Sequence, residues 1–125
     1  MNAKIYAFEK LEVWQLSRLF VSSVYKLIAR FPHEEKMLCV TKFEELQYPY
    51  HLILAEGSSR AYPKEQKHFI EIAYSSLMEV YCQLILAIDL GYAISEQVNE
   101  IKVLIDRISQ MLNALRTSLN KRINT

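Results

Sequence analysis

Glu65-Gln66-Lys67-His68 places a carboxylate and an imidazole three residues apart. On a helix that spacing puts both on one face, and it is half of the ligand set with which four-helix bundles hold two iron ions. The full set needs a second Glu-x-x-His and two further glutamates. His33 and His51 have Arg30 and Tyr48 at the required position, so half the constellation is missing and no metal or other cofactor is expected. Cys39 and Cys82 are the only thiols, too few for a disulfide framework. No glycine-rich elbow frames either one, and in apolar helical sequence a thiol acts as a small hydrophobe. No catalytic residue emerges, and a small-molecule substrate is not expected.

Ala55-Glu56-Gly57-Ser58 raises the question of a phosphate-binding loop. Such a loop carries several glycines ahead of a helix, typically with a lysine. Here a single glycine follows an apolar stretch, which is the pattern of a helix C-cap. Glu79 lies between Met78 and Val80 in a strongly apolar region. A carboxylate buried there needs a partner, and Gln83 four residues on is expected to supply it, making a structural polar pair.

Charge is the remaining chemistry. After Asp106 no acid occurs, while Arg107, Arg116, Lys121 and Arg122 remain. Cations in that position favour the C-terminal end of a helix dipole. The same four could also form a basic rim for phosphate, multiplied if several copies assemble in a ring. Arg60, Lys64 and Lys67 make a second, smaller cluster. Tyr6, Tyr62 and Tyr92 are candidates for stacking on bases, although packing accounts for most of the eight tyrosines.

These residues must be positioned by helices. The chain has 125 residues, the size of one domain, and only two glycines and three prolines, too few for the turns of a strand-rich fold. Hydrophobic residues at 51% and charged residues at 23% argue against disorder. A formal net charge of +1 does not mark a general nucleic-acid binder, so any such role must rest on a local patch. The opening residues lack the pattern of a secretory signal, and the longest apolar run, Leu84 to Ile88, is far short of the roughly 20 residues of a membrane span. A cytoplasmic protein with no membrane partner is expected.

Breaks at Phe31-Pro32, Gly57 to Pro63 and Leu90 to Ser95 divide the chain into four helical segments. Gly91 suits a left-handed cap, Ser95 an N-cap and Pro63 a first helical turn. Val13, Leu16, Phe20, Val24, Leu27 and Phe31 give the first segment its stripe. The second is weaker, through Val40, Phe43, Leu46, Tyr50 and Leu54, with Pro49 placed to kink it. Ile94, Val98, Ile101, Ile105, Ile108, Leu112, Leu115 and Leu119 alternate steps of four and three, the seam of a bundle helix. The third segment is apolar almost all round near its end, at Leu77, Met78, Val80, Tyr81, Leu84, Ile85, Leu86 and Ile88. One stripe serves a core, so the second is expected to meet another subunit. Together these predict an all-α, antiparallel up-and-down four-helix bundle forming a single domain over residues 1–125.

The chain also resembles a known family. Phe8-Glu9-Lys10-Leu11-Glu12-Val13-Trp14-Gln15, Phe31-Pro32-x-Glu34-Glu35, Ala55-Glu56-Gly57 with Arg60, Lys67-x-Phe69-Ile70, Ser76-Leu77-x-Glu79-x-x-x-Gln83-Leu84, Ala87-x-x-Leu90-Gly91-Tyr92 and Met111-Leu112-Asn113-x-Leu115 follow one another in order and spacing. They are similar to the 23S rRNA intervening-sequence proteins, also called S23 ribosomal or four helix bundle proteins. The resemblance implies an antiparallel four-helix bundle assembled into a ring-shaped homopentamer, no catalytic residues, and nucleic-acid binding through basic residues of the second helix. The sequence departs from the pattern there. By register Glu44 and Glu45 stand where the family carries two arginines, and Pro49, Tyr50, His51, Leu52 and Ile53 where it carries Ser-Ile-Pro-Ser-Asn. Anions in those places repel phosphate. The expected function is therefore a non-enzymatic oligomeric scaffold binding structured RNA or a ribonucleoprotein on another face. The alternative is a protein-only interaction module whose Glu44-Glu45 face meets a basic protein.

Overall fold

The computed structural model describes residues 4, 7–34 and 61–124, and all of its regular structure there is helical. A short 3₁₀ turn, Ala7–Lys10, leads into α1, Glu12–Ile28; α2 spans Pro63–Asp89 and α3 spans Ser95–Ile123. These are the first, third and last predicted segments. Helical backbone resumes at His33 and Glu34, directly after Pro32. The second predicted segment, with Glu44, Glu45, Pro49 and the Gly57 cap, lies outside the described residues, as do Cys39, Arg60 and Tyr6. Three helices are thus described, all-α as expected, and the count of four does not rest on them.

The seam on α3 forms as its period dictates. Val98, Ile101, Ile105, Ile108, Leu112 and Leu119 are buried, and Leu115 is half-buried against them. Ile94 is left exposed because it precedes the helix. It sits at the N-cap position with extended backbone, where Ser95 had been expected. Its N–H donates to Gln97 Oε1 at 3.0 Å, so the glutamine three residues on satisfies one backbone donor at the start of the helix.

α1 and α2 each lie alongside α3 and not alongside one another. Both run antiparallel to it. Glu12 at the start of α1 pairs with Arg107, while Lys26 and Arg30 at its end border Gln97 and Glu100. On α2, Ile70 and Tyr74 face Leu112 and Arg116, and Lys64 and Lys67 face Ile123. The turn between α2 and α3 is a full Schellman motif. Gly91 adopts φ +80°, its N–H donates to Ile88 O at 3.0 Å, and the Tyr92 N–H donates to Ala87 O at 2.9 Å. The Tyr92 ring then packs on Phe31, with centroids 5.8 Å apart, and so ties the end of α1 to this turn.

The stripe on α1 differs from expectation at one position. Ser17, not Leu16, is fully buried between Val13 and Phe20. Its hydroxyl donates to Val13 O at 2.6 Å, which makes a buried polar side chain tolerable. At the N-terminus of α1, the Gln15 side chain donates to Glu9 O at 2.9 Å and holds the 3₁₀ turn to the helix. The Arg18 guanidinium lies 5.2 Å from the centroid of the Trp14 ring.

On α2 the core takes Ala73, Leu77, Val80, Leu84 and Ala87. Glu79 corrects the expectation of a buried polar pair. It is exposed, because it lies about 200° around the helix from Leu77 and about 100° from Val80, outside the core stripe. Gln83 is half-buried, and among the described residues no hydrogen bond joins the two. The other apolar face of α2 stands uncovered in the single chain: Ile85 is 42% exposed, Leu86 52% and Leu90 64%. By length and composition α2 is also the one described helix apolar enough to cross a membrane, longer than the run from Leu84 to Ile88 indicated. A helix with one face in a core and a second apolar face passes the same test.

Ile108 has no solvent exposure, and Ile108→Ala is expected to lower unfolding stability by about 2–5 kcal/mol, seen as a reduced denaturation midpoint with an unchanged slope. A Cβ at Gly91 meets nothing within 4 Å, so Gly91→Ala suffers only the left-handed backbone penalty, about 1 kcal/mol in the same measurement.

Candidate nucleic-acid interface

Cations from both of the clusters that the sequence offers lie at one end of the structure. Because α2 and α3 are antiparallel, the first turns of α2 lie beside the last turns of α3. Lys64, Lys67, His68, Glu71 and Ile123 line one shallow groove. Arg116 borders the next, which also contains Glu71. Lys121 and Arg122 are exposed in the last turn of α3. Lys64, Lys67, Arg116, Lys121 and Arg122 therefore share one end of the α2–α3 hairpin, with Glu65 and Glu71 as the nearby acids among the described residues. Lys67 and Glu71 form an exposed pair at 3.6 Å, of the kind that contributes little stability.

Arg107 does not belong to this end. Nine residues before Arg116 places it about 180° around α3 and roughly 14 Å back along it. There it forms a charged hydrogen bond with Glu12 at 3.0 Å, both side chains being 60% exposed. An exposed pair of this kind contributes little stability, but it links α1 to α3 and occupies the guanidinium. Lys102 and Asp106 pair on the same helix at 3.3 Å. All acids of α3 thus lie in its first half, and the second half is basic.

His68, the imidazole of the Glu-x-x-His match, lies in the groove beside Lys64 and Lys67, with its ring edge-on to Phe69 at 6.1 Å. Two neighbouring ammonium groups oppose a metal cation there. Among the described residues no group of three or more His, Cys, Asp or Glu side chains is placed to hold a metal. Cys82 is exposed on α2, not buried as its apolar sequence context indicated.

Of the candidate stacking rings, Tyr62 is 68% exposed at the start of α2, while Tyr92 is held against Phe31. The sequence reading passed over a better placed ring. Tyr74 is half-buried against the core and lines the groove bordered by Arg116. Ser75 and Asn113 line the same groove, over a floor of Ile70 and the fully buried Leu112. The signal was present as spacing: Ile70, Glu71, Tyr74 and Ser75 share one face of α2, and Leu112, Asn113 and Arg116 share one face of α3. That the two faces oppose each other follows only from the antiparallel pairing.

These features sit within the span of a recognised family. No curated protein matches the chain. The family model of the 23S rRNA-intervening sequence proteins matches residues 9–114, which include α1, α2, the Schellman turn and most of α3. The chain belongs to the 23S rRNA-intervening sequence protein family.

Proposed function

We propose that this protein is a non-enzymatic helical scaffold that binds structured RNA, alone or within a ribonucleoprotein, through the basic end of its α2–α3 hairpin. The observation that carries this proposal is the meeting of Lys64 and Lys67 with Arg116 along the α2–α3 grooves, at the end where the acid-free half of α3 also carries Lys121 and Arg122 in its last turn. Release of counterions from RNA phosphates drives binding to such a patch. The family's description points to the same class of partner. Arg107, turned to the other side and paired with Glu12, is not part of the interface.

The scaffold is a four-helix bundle assembled into a homo-oligomer, and family resemblance implies a ring of five. The lateral arrangement supports the bundle, since an up-and-down four-helix fold places its first and third helices diagonally and both against the fourth. The uncovered apolar face of α2 at Ile85, Leu86 and Leu90 supports an interface between copies. Repetition around a ring then turns a modest basic patch into an extended one.

Binding of the purified protein to fluorescently labelled structured RNA tests the first part. Affinity is expected to fall roughly tenfold or more between about 50 and 200 mM salt, and Arg116→Glu with Lys121→Glu to abolish it. Unchanged affinity in that double variant would exclude this end as the interface. Absence of RNA binding at either salt, with capture of a basic protein, would favour a protein-only module. The interface on α2 is tested by mass in solution. Leu86→Lys, at an exposed position, is expected to reduce the assembly to smaller species while leaving the helical content unchanged.

A further inference from the structure

We infer that the groove between α2 and α3 at Tyr74 receives an unpaired nucleotide, so that this protein grips single-stranded segments of RNA in preference to duplex. The inference rests on the RNA-binding role proposed for the basic end and specifies what that end recognises.

The groove has a volume of about 320 Å³, at the small end of the range for ligand sites and suited to one flat group rather than a large ligand. Its apolar floor is Ile70 and Leu112. Tyr74 supplies a ring held in place by its packing on the core, so little side-chain freedom is lost when a base stacks on it. Asn113 supplies an amide that can both donate and accept, and Ser75 a hydroxyl, the groups that pair with base edges. Arg116 stands at the rim as a phosphate or base-plane contact.

A site for phosphate alone does not look like this. Glu71 lines the groove, and a carboxylate repels a bare anion, whereas it can accept from the exocyclic amine of a base. Glu71 also lines the groove of Lys64, Lys67 and Ile123, so the two grooves adjoin at that residue. A strand with its base on Tyr74 can run its backbone along the lysines, over about 10 Å of α2 from residue 71 to residue 64. Duplex RNA offers phosphates and 2′-hydroxyls to the cations but no free base face for the ring.

The test is fluorescence polarisation with labelled single strands of roughly 12 nucleotides and the matching duplex, at one fixed salt concentration. The single strand is expected to bind more tightly. Tyr74→Leu, which keeps bulk but removes the ring, is expected to weaken single-strand binding roughly 5- to 100-fold and leave duplex binding unchanged, while Tyr74→Phe stays within about twofold of the parent. Asn113→Ala, at an exposed position, is expected to narrow the differences in affinity among A-, C- and U-rich strands, an arm that stands even where Tyr74→Leu fails to fold. Equal affinity for duplex and single strand overturns the inference. So does parental single-strand binding by a folded Tyr74→Leu, or a change of oligomeric mass in that variant, which would assign the groove to a second copy of the chain. If Arg116→Glu with Lys121→Glu abolishes binding while Tyr74→Leu does not, the basic end holds RNA without this groove. If the parent protein binds neither form, both fall together.

Discussion

The seam from Val98 to Leu119 on α3 is the surface on which the rest of the described molecule is assembled. α1 and α2 both pack on it and not alongside each other, so neither has another described helix on which to bury its stripe. A regular alternation of three and four residues carries the seam along most of the 29-residue α3 with only a slow left-handed drift, long enough to serve α1 near its start and α2 along its length. The buried side chains of all three helices join into one cluster. Loss of volume in the first half of the seam is therefore felt by two interfaces at once.

Antiparallel packing on this seam also sets the charge pattern. It brings the start of α2 next to the end of α3, and the cations of both meet there. Lys121 and Arg122 oppose the negative end of the α3 dipole, so their positions are favourable for the helix before any ligand is considered. What the helix dipole alone does not account for is the addition of Lys64 and Lys67, near the positive end of α2, where they gain nothing from that dipole. Cations kept at a helix N-terminus, gathered beside another basic helix end, are consistent with an anionic partner.

α2 carries two apolar faces. One face, Ala73 to Ala87, contains small and branched residues and fits the seam. The other carries Met78, Ile85, Leu86 and Leu90 and remains partly or largely open in the single chain. Glu79 and Asp89 interrupt that open region with charge. Its polar and apolar residues are mixed in the way of an interface rim rather than a core.

Much of the fold was legible from residue spacing. The alternation on α3, the stripe on α1, the Pro63 start and the Gly91 cap all depend on interactions within a few residues, and the structure has each of them. The errors came where partners were remote. Glu79 looked buried because its sequence neighbours are apolar, but a helix turns adjacent residues about 100° apart, and only the partner helix decides which direction is inside. Arg107 seemed to belong with Arg116 and Lys121, yet its place further back along α3 and its contact with Glu12, distant in sequence, separate it from them. The groove at Tyr74 needed one face of α2 opposed to one face of α3. The sequence by itself determined that the described segments are helical, where they begin and end to within a residue or so, and most of the stripe each one buries, because these follow from backbone hydrogen bonding and periodic burial. Only the tertiary structure decided which cations lie together and that a tyrosine and an asparagine share a groove, because such neighbours are fixed by the antiparallel register between helices rather than by distance along the chain.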